Sequence, residues 1–372
     1  MDIFAEANSK LESFINNYLT SYHKLRNFDY GVKNRSNISK TSKYITHRIL
    51  YEYEIIDKLK CIDKKKKFTD EVLWRIYWKG YLEKHKSIWF DYKKPDNNSY
   101  DSTIFENAKK GQTGIKCFDT WVEELREDNY LHNHSRMWFA SIWLFTLGLP
   151  WKLGAKFFMQ HLLDGDAASN TLSWRWVAGM HTNNKPYIAT KENINKYTAN
   201  RFINTPMNIL NQASTIIVNK HQCNGVPTQK NYPNSKYLFM FDNDLHIKNR
   251  TKLFNSYSKV YILFNQVNDK NLALSDNVFN FKLKLLNNIN RMIPNSKVLD
   301  FTDMDELVND IKNIDVIYPG VGDNLDFMNS FAFQNQTNIN YIYRKEDLIS
   351  WDLANSGFYK FKTSFYKINN IK

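Results

Sequence analysis

Cysteine is scarce in this sequence: three in 372 residues, at positions 61, 117 and 223, with no CxxC pair and no histidine at metal-ligand spacing. That excludes a disulfide framework and a zinc site as organising features and points to a reducing, cytoplasmic setting. No secretory leader is expected either, because MDIFAEANSKLESF carries three acids and lacks a basic stretch followed by an apolar run. Uncharged runs are short. Residues 137–151 hold no charge but are too few to span a bilayer and end in Pro150-Trp151, so a buried core helix is expected there. Acids are in deficit, with 38 against 51 Lys and Arg, giving a net charge of +13 and a pI near 9.3. Such an excess favours a polyanionic partner, whether DNA, RNA or an acidic membrane surface, although a Lys- and Asn-rich codon usage yields the same charge. Most of it sits early: 32 basic against 23 acidic residues up to 202, and 19 against 15 afterwards.

What is plentiful is apolar and aromatic surface. Hydrophobic residues make up 42% and aromatics 15%, ten of them Trp, which is enough to fold and more Trp than packing alone requires. The length fits two domains or one large one. Residues 1–202 read as helical, with apolar residues at three- and four-residue spacing and breaks at Gly31, Lys94-Pro95-Asp96 and Gly111 to Gly114. Residues 203–235, with Pro206, Gly225, Pro227 and Pro233 and no sustained period, predict an extended surface linker. Over 236–372, strands expected at 237–241, 260–264, 298–301, 316–318 and 339–343 alternate with helices at 279–292 and 303–311. That alternation implies a small parallel α/β domain. The loops 242–244 and 319–323 fall where ligands of such sheets bind, but neither is a complete nucleotide fingerprint and ordinary turns are expected.

The chemistry-bearing residues follow helical spacing. Asn133, Arg136 and Met137 stand at i, i+3 and i+4 on one face, and an Arg buried there needs an anionic partner. Glu71, Trp74 and Arg75 repeat that spacing. They present a carboxylate, an indole and a guanidinium together, either as one wall of a pocket or as an ordinary amphipathic core helix. Trp174 and Trp176, two apart, point roughly opposite ways. The whole order, Gly111-Gln-Thr-Gly114, Phe118-Asp119, His132-Asn133-His134-Ser135-Arg136-Met137, Asp164-Gly165-Asp166 through Asn170, and Trp174-Arg175-Trp176, resembles the photolyases and cryptochromes. The similarity runs from Gly111 to Tyr187 and more loosely back to Tyr30.

The resemblance implies a mainly α protein, with an all-helical FAD- and DNA-binding domain over 1–202 ahead of the α/β part. It pairs Asp164 with Arg136 beside the isoalloxazine ring, puts Arg75 on the cofactor side, places Asp166 on the flavin's pyrimidine edge and sets Asn170 facing its N5. An Asn there is the repair-enzyme pattern, and Asn133 joins the reacting centre. Tyr30, Ser39, Lys40, Thr41 and Ser42 correspond to the diphosphate loop in kind only, with Lys43 in place of the family's Pro; a plain Ser/Thr helix cap is the alternative. Glu71 is assigned to the base edge of a pyrimidine dimer, Trp74 and Trp176 to packing on the flipped bases, and Met137 to the substrate wall. Trp174 and Trp151 correspond to the first two members of the electron chain that photoreduces FAD. The third has no Trp at its place near Asn98, leaving Tyr92, Tyr100 or Trp89 as substitutes.

The expected function is therefore light-driven cleavage of cyclobutane pyrimidine dimers in DNA, as a deoxyribodipyrimidine photo-lyase. The chain is expected to act as a cytoplasmic monomer without metal or membrane. The family's 6-4 enzymes usually have His where this chain has Asn133, and His134 replaces an Arg, which weakens a phosphate contact there. A cryptochrome-like blue-light photoreceptor is the alternative, although the long variable tail expected of such a protein is not seen. The family's α/β antenna domain normally precedes the helical one. Here an α/β part follows, and residues 237–246 are faintly similar to the antenna domain's opening strand, so a permuted or independently acquired domain is expected and the antenna chromophore is left open.

Overall fold

The computed structural model describes residues 2–62, 65–95, 99–181, 185–209, 221–228, 235–264, 273–300 and 311–371. The first half is helical from Ile3–Asn17 to Lys191–Tyr197, and its breaks have local causes. The Lys86–Lys93 helix stops at Lys94, which is extended ahead of Pro95 because the proline ring disfavours a helical predecessor. Gly111, at φ 68°, gives the Ser102–Lys110 helix its left-handed cap, where a Cβ would be strained. The single core helix expected over 137–151 is instead three pieces. The Asn133–Ser141 helix runs into a widened π turn at Ile142–Thr146, the chain reverses at Gly148, and Pro150 opens the Trp151–His161 helix. Gly148-Leu-Pro150 breaks the run that its apolar composition suggested.

The second half forms a five-stranded parallel sheet: β1 (Tyr237–Phe241), β2 (Lys259–Phe264), β3 (Ser296–Asp300), β4 (Asn313–Ile317) and β5 (Asn338–Ile342), in the order β3-β2-β1-β4-β5. β1 and β2 are near-continuous apolar runs buried along almost their whole length, as strands covered on both faces must be. The helices Thr251–Asn255, Asp276–Met292 and Asp323–Asn335 supply crossovers. Phe301, Asn98, Pro233 and all but the last residue of the helix expected at 303–311 lie outside the described residues. Of the expected linker, 221–228 runs along the helical half in a mostly exposed path, tied by Asn224 N–H to the Lys84 carbonyl at 2.7 Å.

Two further helices, Lys345–Asp352 and Phe358–Ile368, return from the sheet to pack on the Lys66–Lys84 helix. One hydrophobic core consequently runs from Ile3 to Ile371 through both halves. Strand order reverses around β1 and β4, and the crevice at their carboxyl ends is where such sheets bind ligands. Here the helical half fills it. Glu83 accepts the Tyr318 hydroxyl and the Val321 N–H, each at 2.8 Å. Arg48 makes a two-pronged pair with Asp347, at 2.7 and 2.8 Å, and reaches Asp244 at 3.1 Å. Gly322 allows this approach, since a Cβ on it would stand 2.9 Å from that of Ala167. Only about 80 Å³ of space remains.

Candidate functional site

A larger cavity of about 490 Å³ opens within the helical half. The Lys66–Lys84 helix supplies Glu71, Trp74, Arg75 and Trp78; the Asn133–Ser141 helix supplies Asn133, Arg136 and Met137; the Ala167–Val177 helix supplies Ser169, Asn170, Trp174 and Trp176. The i, i+3, i+4 spacing is why single helices present these groups side by side. Ser39, Lys40, Thr41 and Ser42 complete the wall with Asp164 and Asp166. Tyr30 and Trp151 stand outside it: Tyr30 stacks on Phe28 with ring centroids 5.6 Å apart.

The electrostatic centre is Asp164. Arg136 donates to both its oxygens at 2.9 and 3.0 Å, and Arg75 lies 3.7 Å away while donating to Thr46 at 2.6 Å. Burial alone would push this carboxyl up, but the two guanidiniums outweigh it and hold Asp164 below the usual carboxylate range. Two cations against one anion leave positive charge at the cavity wall. Tyr130, which sequence reasoning missed, lies under Arg136 with its ring 5.3 Å from the guanidinium carbon. Asp166 caps the Ala167–Val177 helix, accepting the Ser169 N–H at 2.7 Å, and the Asn170 amide donates to the Ala155 carbonyl at 2.8 Å.

In the Ser39–Ser42 loop, Lys40 takes a positive φ of 51°, and the Ser39 and Thr41 hydroxyls are 2.8 Å apart. Lys40 lines the cavity, where burial lowers its ammonium pKa. Lys43, in place of the family's Pro, does not line the cavity but sits 5.2 Å from the Tyr44 ring and 5.1 Å from that of Phe281 in the α/β half. On the opposite wall Glu71 pairs with Arg26 at 2.6 Å, a partner in no recognisable spacing with it. Burial pushes the Glu71 carboxyl up, and Arg26 offsets this only in part. Trp74 is not open on both faces: Phe358 stacks on it at 3.7 Å with planes 7° apart. Trp176 stacks on Tyr187 at 5.7 Å.

On the cavity wall, Trp174 packs so closely on Gly154 that a Cβ there would come within 2.2 Å of its ring. Trp151, at the start of the same helix as Gly154, stands 5.5 Å from Tyr92, and Tyr92 stands 5.2 Å from Trp89. The Trp89 indole N–H donates to Asp326 at 2.8 Å. Tyr100 lies on a different branch, against Phe105.

Residues 68–235 match the family model described as the FAD binding domain of DNA photolyase. The chain is 28% identical over 273 residues to a deoxyribodipyrimidine photo-lyase of Buchnera aphidicola subsp. Baizongia pistaciae, covering 67% of this chain and 54% of that one. Its identity to the deoxyribodipyrimidine photo-lyase of Streptomyces griseus is 34% over 121 residues, covering 32% and 27%. With a chloroplastic/mitochondrial cryptochrome DASH of Solanum lycopersicum it shares 28% over 173 residues, covering 44% and 30%. The chain thus spans about half, or less, of the length of the curated relatives it matches. Residues 68–235, less than half of the chain, are similar to the FAD-binding domain of the photolyase/cryptochrome family, whose cofactor is FAD.

The cavity suits that cofactor. Its volume is within the 300–1,000 Å³ range of small-molecule sites. Among the described residues the buried Ser169 hydroxyl and Trp174 indole N–H on its wall have no protein partner, as groups awaiting a polar ligand would. Arg75, Arg136 and Asp164 would hold the flavin ring, and residues 39–42 the diphosphate. Among the described residues no group of His, Cys, Asp or Glu is arranged for a metal, and no helix is long and apolar enough to cross a membrane.

Proposed function

We propose that this protein splits cyclobutane pyrimidine dimers in DNA under light. Reduced FAD, when bound and excited, supplies an electron to the dimer and takes it back once the ring has opened, so no net redox change results. The residues do the rest. Glu71, on the cavity wall beside Trp74 and paired with Arg26, would hydrogen-bond the base edge of the dimer. Trp176 and the uncovered side of Trp74 receive the flipped bases, and Arg75 and Arg136 favour an electron-rich flavin. In this reading residues 1–202 carry both FAD and DNA work, 203–235 link, and 236–372 form an α/β unit docked on them.

The observation that carries the reading is a single cavity in which Glu71, Trp74, Met137 and Trp176 stand with Arg136, Asp164 and Asn170. The test is illumination of thymine-dimer DNA with chemically reduced, FAD-loaded protein, counting restored thymines. Wild type should restore them. Glu71→Ala forfeits a hydrogen bond worth about 1–3 kcal/mol and should repair detectably but with clearly lower yield per photon. No restoration by wild type, in single or duplex DNA, would overturn the reading; equal yields would remove Glu71 from it. A blue-light photoreceptor is the second reading, favoured by one feature: Arg26 already holds Glu71, and Phe358 already covers a face of Trp74.

A further inference from the structure

The C-terminal helix Phe358–Ile368 brings to the cavity's edge residues that the reading above leaves unused. It packs on the Lys66–Lys84 helix through the buried Phe358 and Phe361, both against Tyr77, while the buried Phe365 lies 6.3 Å from the Tyr53 ring. Lys362 pairs with Asp70 at 2.5 Å, and the same carboxylate accepts from the Tyr366 hydroxyl at 3.4 Å. Phe358 meanwhile lies on Trp74, so the two helices run antiparallel with the N-terminal end of the last one at the cavity. The next residue turns outward: Tyr359 is 80% exposed, its ring 5.8 Å from that of Phe358. Trp74, Phe358 and Tyr359 thereby form three successive rings from the cavity wall to solvent.

Charge follows the same line. Residues 203–352 contain fifteen basic and fifteen acidic residues, whereas 353–372 contain four lysines and no acid. The whole positive excess of the second half therefore sits on its last twenty residues. Lys360 and Lys367 are exposed along one stripe of the helix, and Lys66 and Lys67, one turn before Asp70, extend the stripe onto the neighbouring helix.

We propose that this helix is a nucleic-acid contact: its lysines hold phosphates of the strand flanking the cavity, and Tyr359 stacks an unpaired base beside the flipped dimer. The inference rests on the reading that the cavity receives DNA. Exposed aromatic rings beside tracking lysines are the combination by which proteins hold single strands, because every base offers a face to stack and every nucleotide a charge to neutralise. An acidic membrane would need a broad apolar face, and the outward stripe offers only Ile368 beside Tyr359.

The experiment is fluorescence anisotropy of FAD-loaded full-length protein on a short single strand with one thymine dimer, titrated between 50 and 200 mM salt. The double variant Lys360→Gln/Lys367→Gln should flatten the dependence of log K on log salt by about 1.4, or ~0.7 for each phosphate that is no longer neutralised. Tyr359→Ala should weaken binding roughly tenfold at fixed salt with FAD content unchanged. These side chains are exposed, so an unchanged FAD spectrum certifies the fold. If Trp176→Ala loses preference for dimer over intact strand while the helix variants match wild type in slope and affinity, the helix proposal falls and the cavity reading stands. If wild type shows no dimer preference yet the helix variants still lose affinity and slope, the reverse holds. If wild type binds neither strand but binds phosphatidylserine vesicles through Lys360 and Lys367, the partner is a membrane and the proposal is wrong.

Discussion

Trp174 illustrates how much a single residue's role depends on what its neighbours omit. Its indole fits against the Trp151–His161 helix only because residue 154 has no side chain, and that contact fixes it on the cavity wall, 5.1 Å from the Phe158 ring. From Trp151 the aromatic contacts continue to Tyr92 and Trp89, which makes these two, rather than Tyr100, the proposed outer members of an electron relay. Trp174→Phe should slow light-driven reduction of bound FAD at least several-fold while leaving repair by chemically reduced protein in place, because the relay only prepares the cofactor. Following FAD absorbance under illumination checks the first part. Loss of repair under both conditions would make Trp174 a packing residue.

At the scale of elements, the Lys66–Lys84 helix explains both what could be read and what could not. Its Glu71, Trp74 and Arg75 repeat is legible as one face, but Val72, Leu73, Ile76, Tyr77 and Leu82 are buried as well. A helix buried nearly all round says nothing in sequence about which partners cover it. Besides helices of the first half, those partners include the Lys345–Asp352 and Phe358–Ile368 helices, almost three hundred residues away, the former paired through Asp347 with Arg48. Arg48→Met would leave the buried Asp347 without its two-pronged partner. An uncompensated buried charge costs about 3–5 kcal/mol, so unfolding in denaturant should show a loss of that order, and a loss below about 1 kcal/mol would mean that the pair does not latch the two halves.

For the whole molecule, buried histidines set the pH response. Burial pushes His132, His134, His161, His181 and His246 down to about 4 from an ordinary 6.5. Each would take up a proton on unfolding between those values. Its contribution to stability is therefore fully present above pH 6.5 and lost as pH falls toward 4. Glu52, held at about 2 by Lys79 and Arg48 against the cost of burial, extends the loss below pH 4.5. Glu71, Glu83 and Glu124, pushed up by burial, act in the opposite direction. Thermal unfolding should accordingly give a lower midpoint at pH 5.5 than at 7.5; equal midpoints would contradict the buried, neutral state of these imidazoles.

The sequence alone determined what depends on neighbours a few residues away. Helical spacing put Asn133 beside Arg136 and Met137, apolar runs with turn residues between them marked all five strands, and the order of motifs from Gly111 to Trp176 carried the likeness to the family and its FAD. Boundaries slipped where the composition stayed apolar through a break, as at Gly148-Leu-Pro150. Only the tertiary structure decided which distant groups meet: Arg26 on Glu71, Phe358 on Trp74, Glu83 in the crevice of the sheet, Tyr92 against Trp151. These pairings join residues 45 to 284 positions apart, and no periodicity encodes them, because they arise from how packed elements exclude water and neutralise charge together.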